Sequence, residues 1–328
     1  MPALMVHDFF GQDVLAANPD IIGNTYEEKE AFLLGCQGPD PFFFLVFDPL
    51  RVNSISWGSM LHDMLPAEQL MAFKASTQIL GAEERGVGKA YAYGYLCHFL
   101  LDSGSHPLVY SMEYRICDAG VEGLTRNDKT AVHHLIEREL DEEVLYRKRG
   151  CTVADYSPHE NILIADESTL LTIAKMYSYV ALSVFSTTMD PAAFPAAVHC
   201  YSISQKVLMD SPTGLKRAIL SGIEEIVRPY SLLRCMAPRA VGRKPTWFDN
   251  AKRKTWENPF TGESSSLSFW DIYDNALSQS ESAIALFSGR DYLDADTARS
   301  ITNDVNFLGD PVEARLTVQQ STPADTSA

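Results

Sequence analysis

In Gly94-Tyr95-Leu96-Cys97-His98-Phe99-Leu100-Leu101-Asp102, a histidine and an aspartate stand four residues apart. On a helix that spacing stacks imidazole and carboxylate one turn apart on one face, where both can point at a single ion. The flanking residues are apolar nearly all round, which predicts a buried helix. A carboxylate buried there needs a cation or a hydrogen-bonding partner. The helix is expected to end after Gly104, leaving His106, ahead of Pro107, as a third donor one step further on. His133 and Glu137 repeat the four-residue spacing on a second expected helix that continues through Asp141, with His134 facing elsewhere. Nitrogen and carboxylate donors in sets of three or four suit zinc, whose catalytic sites keep one position open for water. Either pair alone also matches an ordinary His–acid contact on a helix surface. The two pairs together, with a buried Asp102 and His106 close by, favour a metal centre.

Three further candidates carry less weight taken singly. His7 opens an apolar stretch, Asp40 sits between two prolines after Leu34-Gly35-Cys36-Gln37-Gly38-Pro39, and His62 lies in Met60-Leu61-His62-Asp63. An aspartate between prolines is commonly a turn former, and lone histidines are commonly structural or exposed.

The elements that must position these residues read as helices. Segments 66–80, 86–101, 127–148, 168–186, 191–209, 214–233 and 267–287 are of helical length and rich in Ala, Leu, Met, Glu and Lys. Pro66 and Pro191 suit first-turn positions, Gly150 suits a helix end, and Ser211-Pro212-Thr213-Gly214 reads as a turn. Alternating strand patterns are scarce, so the expected fold is all-α, a multi-helix bundle. Two irregular stretches interrupt it, 48–61 and 237–264. The second groups Arg243, Lys244, Lys252, Arg253 and Lys254 around Trp247 and Trp256, then turns at Asn258-Pro259-Phe260-Thr261-Gly262. Such a loop either binds phosphate or is packed onto the bundle by its tryptophans, and the packing role is the more common. One domain is expected over 1–309, with a metal-site half at 1–150 and a helical extension at 151–309. Residues 310–328 are poor in large apolar side chains and are expected to fray.

Charge narrows the partners. Lys and Arg number 27 against 43 Asp and Glu, a net charge of -16, which repels nucleic acid and anionic membrane surfaces. No uninterrupted apolar run approaches the roughly 18 residues of a membrane helix, so no transmembrane segment is expected. Met1 to His7 lack the charged start and apolar middle of a secretory signal, which gives a cytoplasmic expectation. The six cysteines are scattered without a Cys-x-x-Cys pair and read as free thiols.

Taken in order, the motifs are His7, the Leu34-Gly35-x-x-x-Pro39-Asp40 stretch, His62, the Gly94-Tyr95-x-x-His98-x-x-x-Asp102-x-x-x-His106-Pro107 block and His133-x-x-x-Glu137. This series resembles the bacterial zinc-dependent phospholipase C family over roughly residues 5 to 145, most specifically in the Gly94 to Pro107 block. The segment from Trp256 to Gly262 also looks like that of cytoplasmic relatives. The resemblance implies an all-helical domain holding a cluster of zinc ions. His62, His98 and Asp102, with Asp40, would hold one ion, and His106, His133 and Glu137 a second. A third would be shared between Asp102 and His7. In secreted members that third ion also uses the amine and carbonyl of an amino-terminal Trp, whereas this chain begins Met1-Pro2-Ala3, so two full sites and a weaker third are expected. The implied activity is hydrolysis of a small phosphate ester or a phospholipid head group. Zinc lowers the pKa of bound water so that hydroxide exists near neutral pH, and Asp40 would orient that water or accept its proton. Phe42-Phe43-Phe44 beside Asp40 would wall a pocket for a quaternary ammonium group or, more simply, belong to the core.

Two rival readings remain. His62-Asp63 is the signature dipeptide of the HD-type metal phosphohydrolases, with His7 and Asp102 filling the remaining ligand roles, but that leaves His98, His106, His133 and Glu137 unexplained. The other rival is a non-catalytic helical scaffold braced by a closed metal site.

Overall fold

The computed structural model describes residues 4–51, 56–120, 125–208, 235–242, 244–289 and 291–312. The chain is helical, as its composition predicts, with a single two-residue hairpin among the described residues. In chain order the helices are α1 (Leu4–Ala17), α2 (Pro19–Ile22), α3 (Tyr26–Gly35), α4 (Trp57–Asp63), α5 (Pro66–Ser76), α6 (Arg85–Cys117), α7 (Lys129–Arg149), α8 (Pro158–Asn161), α9 (Glu167–Phe185), α10 (Ala193–Leu208), α11 (Phe269–Ser288) and α12 (Ala295–Thr302). A 3₁₀ run spans Asp40–Phe47, and β1 (Trp256–Glu257) pairs antiparallel with β2 (Ser264–Ser265).

The architecture is organised around α6. Tyr91, Tyr95, Leu96, Cys97, His98, Phe99 and Leu101 are buried along it, so α6 must be covered on every side. Helices α3, α5, α7, α9 and α11 pack against it. The tightest approach is to α3: a Cβ on Gly94 would lie 2.1 Å from Phe32 O, and one on Gly35 2.3 Å from Tyr91 O. Two glycines therefore let the backbones touch, and the chain leaving α3 delivers Asp40 beside α6.

Local signals set the helix ends. Thr25 and Glu28 form a reciprocal capping box at the start of α3, Ser268 and Asp271 do the same for α11, and Asp166 caps α9. Gly150 closes α7 in the left-handed conformation at φ 68°. In the first turn of α1, Val6 N donates to the buried Asp141 Oδ1 of α7 at 2.8 Å.

Several expectations need correction. Helix α6 does not stop at Gly104 but runs on through Pro107 to Cys117. Proline at 107 removes the hydrogen bond to Ser103 O. That carbonyl is instead covered by a loop, where a Cβ on Gly309 would lie 2.5 Å from it. Helix α4 occupies the end of the stretch read as irregular, and α1 and α3 were not anticipated. The segment 237–264 is irregular apart from the start of the hairpin, with the Asn258–Gly262 turn closed by Gly262 N to Asn258 O at 2.8 Å. Asp310 is not frayed, since its carbonyl accepts from Asn306 N at 3.0 Å. The expected helix at 214–233, the turn before it, the Met1-Pro2-Ala3 start, Arg243 and residues 313–328 lie outside the described residues.

By length and composition α9 is apolar enough to cross a bilayer, with a mean hydropathy of 1.2. Its Ile173, Met176, Tyr177 and Val180 are nevertheless buried, packing against α5, α6 and α10. Its opposite face carries the exposed Leu171 and Leu182.

Candidate metal centre

Because α6 continues past Gly104, His98, Asp102 and His106 fall on one face at successive four-residue steps. Asp102 lies between its neighbours. Its Oδ1 is 3.1 Å from His7 Nε2 on α1, and its Oδ2 is 3.3 Å from His98 Nε2 and 3.9 Å from His106 Nδ1. Asp40, at the start of the 3₁₀ run, places Oδ1 3.3 Å from His62 Nε2 on α4. On α7, His133 Nε2 is 3.1 Å from Glu137 Oε1, and His106 Nε2 reaches the same oxygen at 3.9 Å.

Three sets of donors result: His62, His98 and Asp102; His106, His133 and Glu137; and His7, Asp40 and His98. Within each set the donor atoms lie within 4.8 Å of one another. The structure thus gathers every ligand candidate from the sequence into one buried region. His7 is within reach of Asp40 and His98 as well as Asp102, a fuller donor set than its sequence position suggests.

The hydrogen bonds around the imidazoles follow one pattern. Nδ1 of His62 meets Gly58 O at 2.8 Å, that of His98 meets Cys36 O at 3.2 Å, and that of His106 meets Phe307 O at 2.7 Å. A carbonyl only accepts, so each Nδ1 carries the proton and a neutral ring leaves a lone pair on Nε2. His133 likewise turns Nδ1 to Glu113 Oε2 at 2.9 Å. Each Nε2 then faces a carboxylate. For His98 this is an opposition of lone pairs, because Nε2 is buried with no hydrogen-bond partner and burial pushes its pKa down to about 4. A neutral Nε2 facing Asp102 Oδ2 at 3.3 Å in a dry interior is stabilised by a cation between them. The donor set therefore fits a divalent metal such as zinc, and the Nδ1 partners are the outer-shell acceptors that fix metal-binding imidazoles.

The carboxylates are held charged. Burial by itself would raise Asp102, but the surrounding His98, His106 and His7 outweigh it and keep the carboxyl well below the usual range. The same contest lowers Asp40 through His62 and His98, and Glu137 through His133. Burial also lowers His106, whereas His133, between Glu137 and Glu113, is pushed up to about 9 despite its burial.

Some participants have no signal in the sequence. Glu113 is 1% exposed and orients His133 from twenty positions away on another helix. Phe307 is fully buried, its ring 5.2 Å from that of His62 and 5.8 Å from that of His98. Tyr110 packs between His133 and Phe260, at 5.0 and 5.5 Å. The extension after residue 150 therefore helps to build the site. His134 does not face wholly elsewhere: its Nδ1 is 3.9 Å from Glu137 Oε2, since positions three apart also share a helix face. Asp63 is exposed and belongs to none of the three sets, so of the His62-Asp63 dipeptide only His62 joins the donor cluster.

Space at the centre is tight. A cavity of about 20 Å³ lies beside His7, Asp102, His106 and Glu137, enough for an ion or a water. A groove of about 1000 Å³ between α3, α6 and α9, lined by Glu28, Val87, Thr172 and Lys175, includes none of the ligand candidates. Compared with protein families, curated proteins and solved structures, the chain matches none of them.

Proposed function

We propose that the protein is a zinc-dependent phosphoester hydrolase, similar in its site to the zinc-dependent phospholipases C. The observation that carries this reading is the set of four histidines, 62, 98, 106 and 133, each with Nδ1 on an oxygen acceptor and Nε2 turned to a buried carboxylate. That arrangement supplies two groups of three donors, of which His62, His98 and Asp102 form the first and His106, His133 and Glu137 the second. Bound there, zinc would supply Lewis acidity to a phosphate oxygen and to water.

The protein's own groups divide the remaining work. Asp40, held ionised with Oδ1 engaged by His62, would orient an attacking water or accept its proton. Glu113 keeps the His133 ring in place. Phe43, 5.0 Å from His62, and Phe307 exclude bulk water from the first group. A small or zwitterionic ester suits a chain of net charge -16 better than a polyanion does.

One observation favours a second reading, a helical scaffold braced by metal. The cavity of about 20 Å³ and the buried Phe307 leave no room for an ester unless the 303–312 segment moves. A panel of a choline phospholipid, a chromogenic phosphomonoester, a phosphodiester and single-stranded DNA, each with and without zinc, separates the readings. Zinc-dependent turnover of a small ester is expected. No turnover of any member by fully metallated protein would favour the scaffold.

A further inference from the structure

Apart from Phe260, which packs on Tyr110, the basic and aromatic loop after residue 237 supplies none of the residues placed in the metal centre. It folds over α6 to enclose a separate cavity of about 340 Å³, within the size range of ligand pockets. Met112 and Arg115 of α6 contribute to its wall, and Trp247, Lys252, Lys254 and Trp256 come from the loop.

The charges there are unbalanced. Among the described residues, Arg115, Lys252 and Lys254 have no ion-pair partner, although the adjacent Arg253 pairs with Asp271 at 2.6 Å. The one carboxylate in the lining, Asp249, has Oδ1 engaged by Ala251 N at 3.0 Å. Three cations against one acid make a positive pocket in a chain of net charge -16. The surrounding negative field disfavours long polyanions while leaving room for a small one.

The pocket is also preformed. Asn250 adopts the left-handed conformation at φ 47°, and its side chain donates to Lys254 O and Leu267 O while accepting from Lys254 N. Trp256 is anchored by Nε1 donating to Leu267 O at 3.0 Å. Trp247 is 58% exposed, with Phe248 at 4.3 Å between ring centroids on one side of its indole. A large aromatic surface left open beside unpaired cations is suited to stacking a flat ring while the cations hold an anion.

We propose that this pocket binds a small phosphate monoester carrying a flat ring, of mononucleotide size, with the ring stacked on Trp247 and the phosphate held by Arg115, Lys252 and Lys254. The site is independent of what the metal centre does. Met112 and Arg115 flank Glu113 on α6, so the two sites share one stretch of helix.

The test is isothermal titration of the full chain with adenosine 5′-monophosphate, adenosine, ribose 5-phosphate and inorganic phosphate. The monophosphate is expected to bind about tenfold or more tighter than either adenosine or ribose 5-phosphate. Trp247→Leu should reduce it to the level of ribose 5-phosphate. The Lys252→Gln, Lys254→Gln double variant should weaken both phosphate esters at least about fivefold and leave adenosine unchanged. All three substituted residues are exposed, so the fold is retained, and circular dichroism checks this. Adenosine binding as tightly as its monophosphate would overturn the proposal, as would inorganic phosphate binding as tightly. Monophosphate binding abolished by a chelator yet untouched by the lysine substitutions would assign it to the metal centre and refute the pocket.

Discussion

His98 Nε2 stands 3.3 Å from Asp102 Oδ2 while its Nδ1 is committed to the Cys36 carbonyl at 3.2 Å. The carbonyl fixes which nitrogen carries the proton, so the lone pair that remains points at a carboxylate. Two electron-rich atoms held together in a buried site are stabilised by a cation between them. This one contact links the local spacing of α6 to the chemistry of the whole centre.

Glu113 belongs to none of the three donor sets and meets His133 Nδ1 at 2.9 Å. Glu113→Gln keeps the side-chain shape and removes the charge that orients the imidazole. Zinc affinity of the His106, His133 and Glu137 group should fall about 10–100-fold, with the first group unaffected. Competition against a chromophoric chelator reads both groups, and unchanged affinity at the second would remove Glu113 from the site.

Phe307 offers two separable contributions, a ring and a carbonyl. Phe307→Ala deletes a fully buried ring and should destabilise the fold by about 3–5 kcal/mol. The carbonyl accepting from His106 Nδ1 belongs to the main chain and survives, so metal content should persist in the folded variant. Denaturant unfolding together with metal analysis checks both halves. Metal lost under conditions where the variant remains folded would contradict the assignment.

Gly94→Ala would place a Cβ 2.1 Å from Phe32 O, and a backbone atom cannot rotate away. Helices α3 and α6 would have to separate, carrying Asp40 from His98. The expected cost is about 1–3 kcal/mol or more, with weaker zinc binding at the first group. Gly104→Ala is the control: its Cβ meets only the Ile272 side chain, at 3.3 Å, and stability should change by less than about 1 kcal/mol. Equal behaviour of the two variants would show that close approach at Gly94 does not set the site.

Much of the centre was legible because a four-residue spacing survives translation into a helix. His98 with Asp102, and His133 with Glu137, needed only local periodicity. His106 is legible as a donor but not as part of the helix, since Pro107 normally marks a break and the loop that covers the freed Ser103 carbonyl comes from Gly309, two hundred residues away. Helix α1 escaped notice because Leu4 to Gly11 are buried without interruption, leaving no polar stripe to set a helical period. Glu113 and Phe307 act through tertiary contacts for which no spacing rule exists. The bundle class followed from composition, whereas the touching of α3 and α6 rests on two glycines whose meaning appears only once they face each other.

The account rests on metal being held by these side chains, and elemental analysis of zinc-loaded, desalted protein tests it most directly. About two zinc ions per chain are predicted in the wild type. His98→Ala should remove the ion of the first group, His133→Ala that of the second, and the double variant both. A wild type without stoichiometric metal, or a double variant with the full complement, would contradict the account.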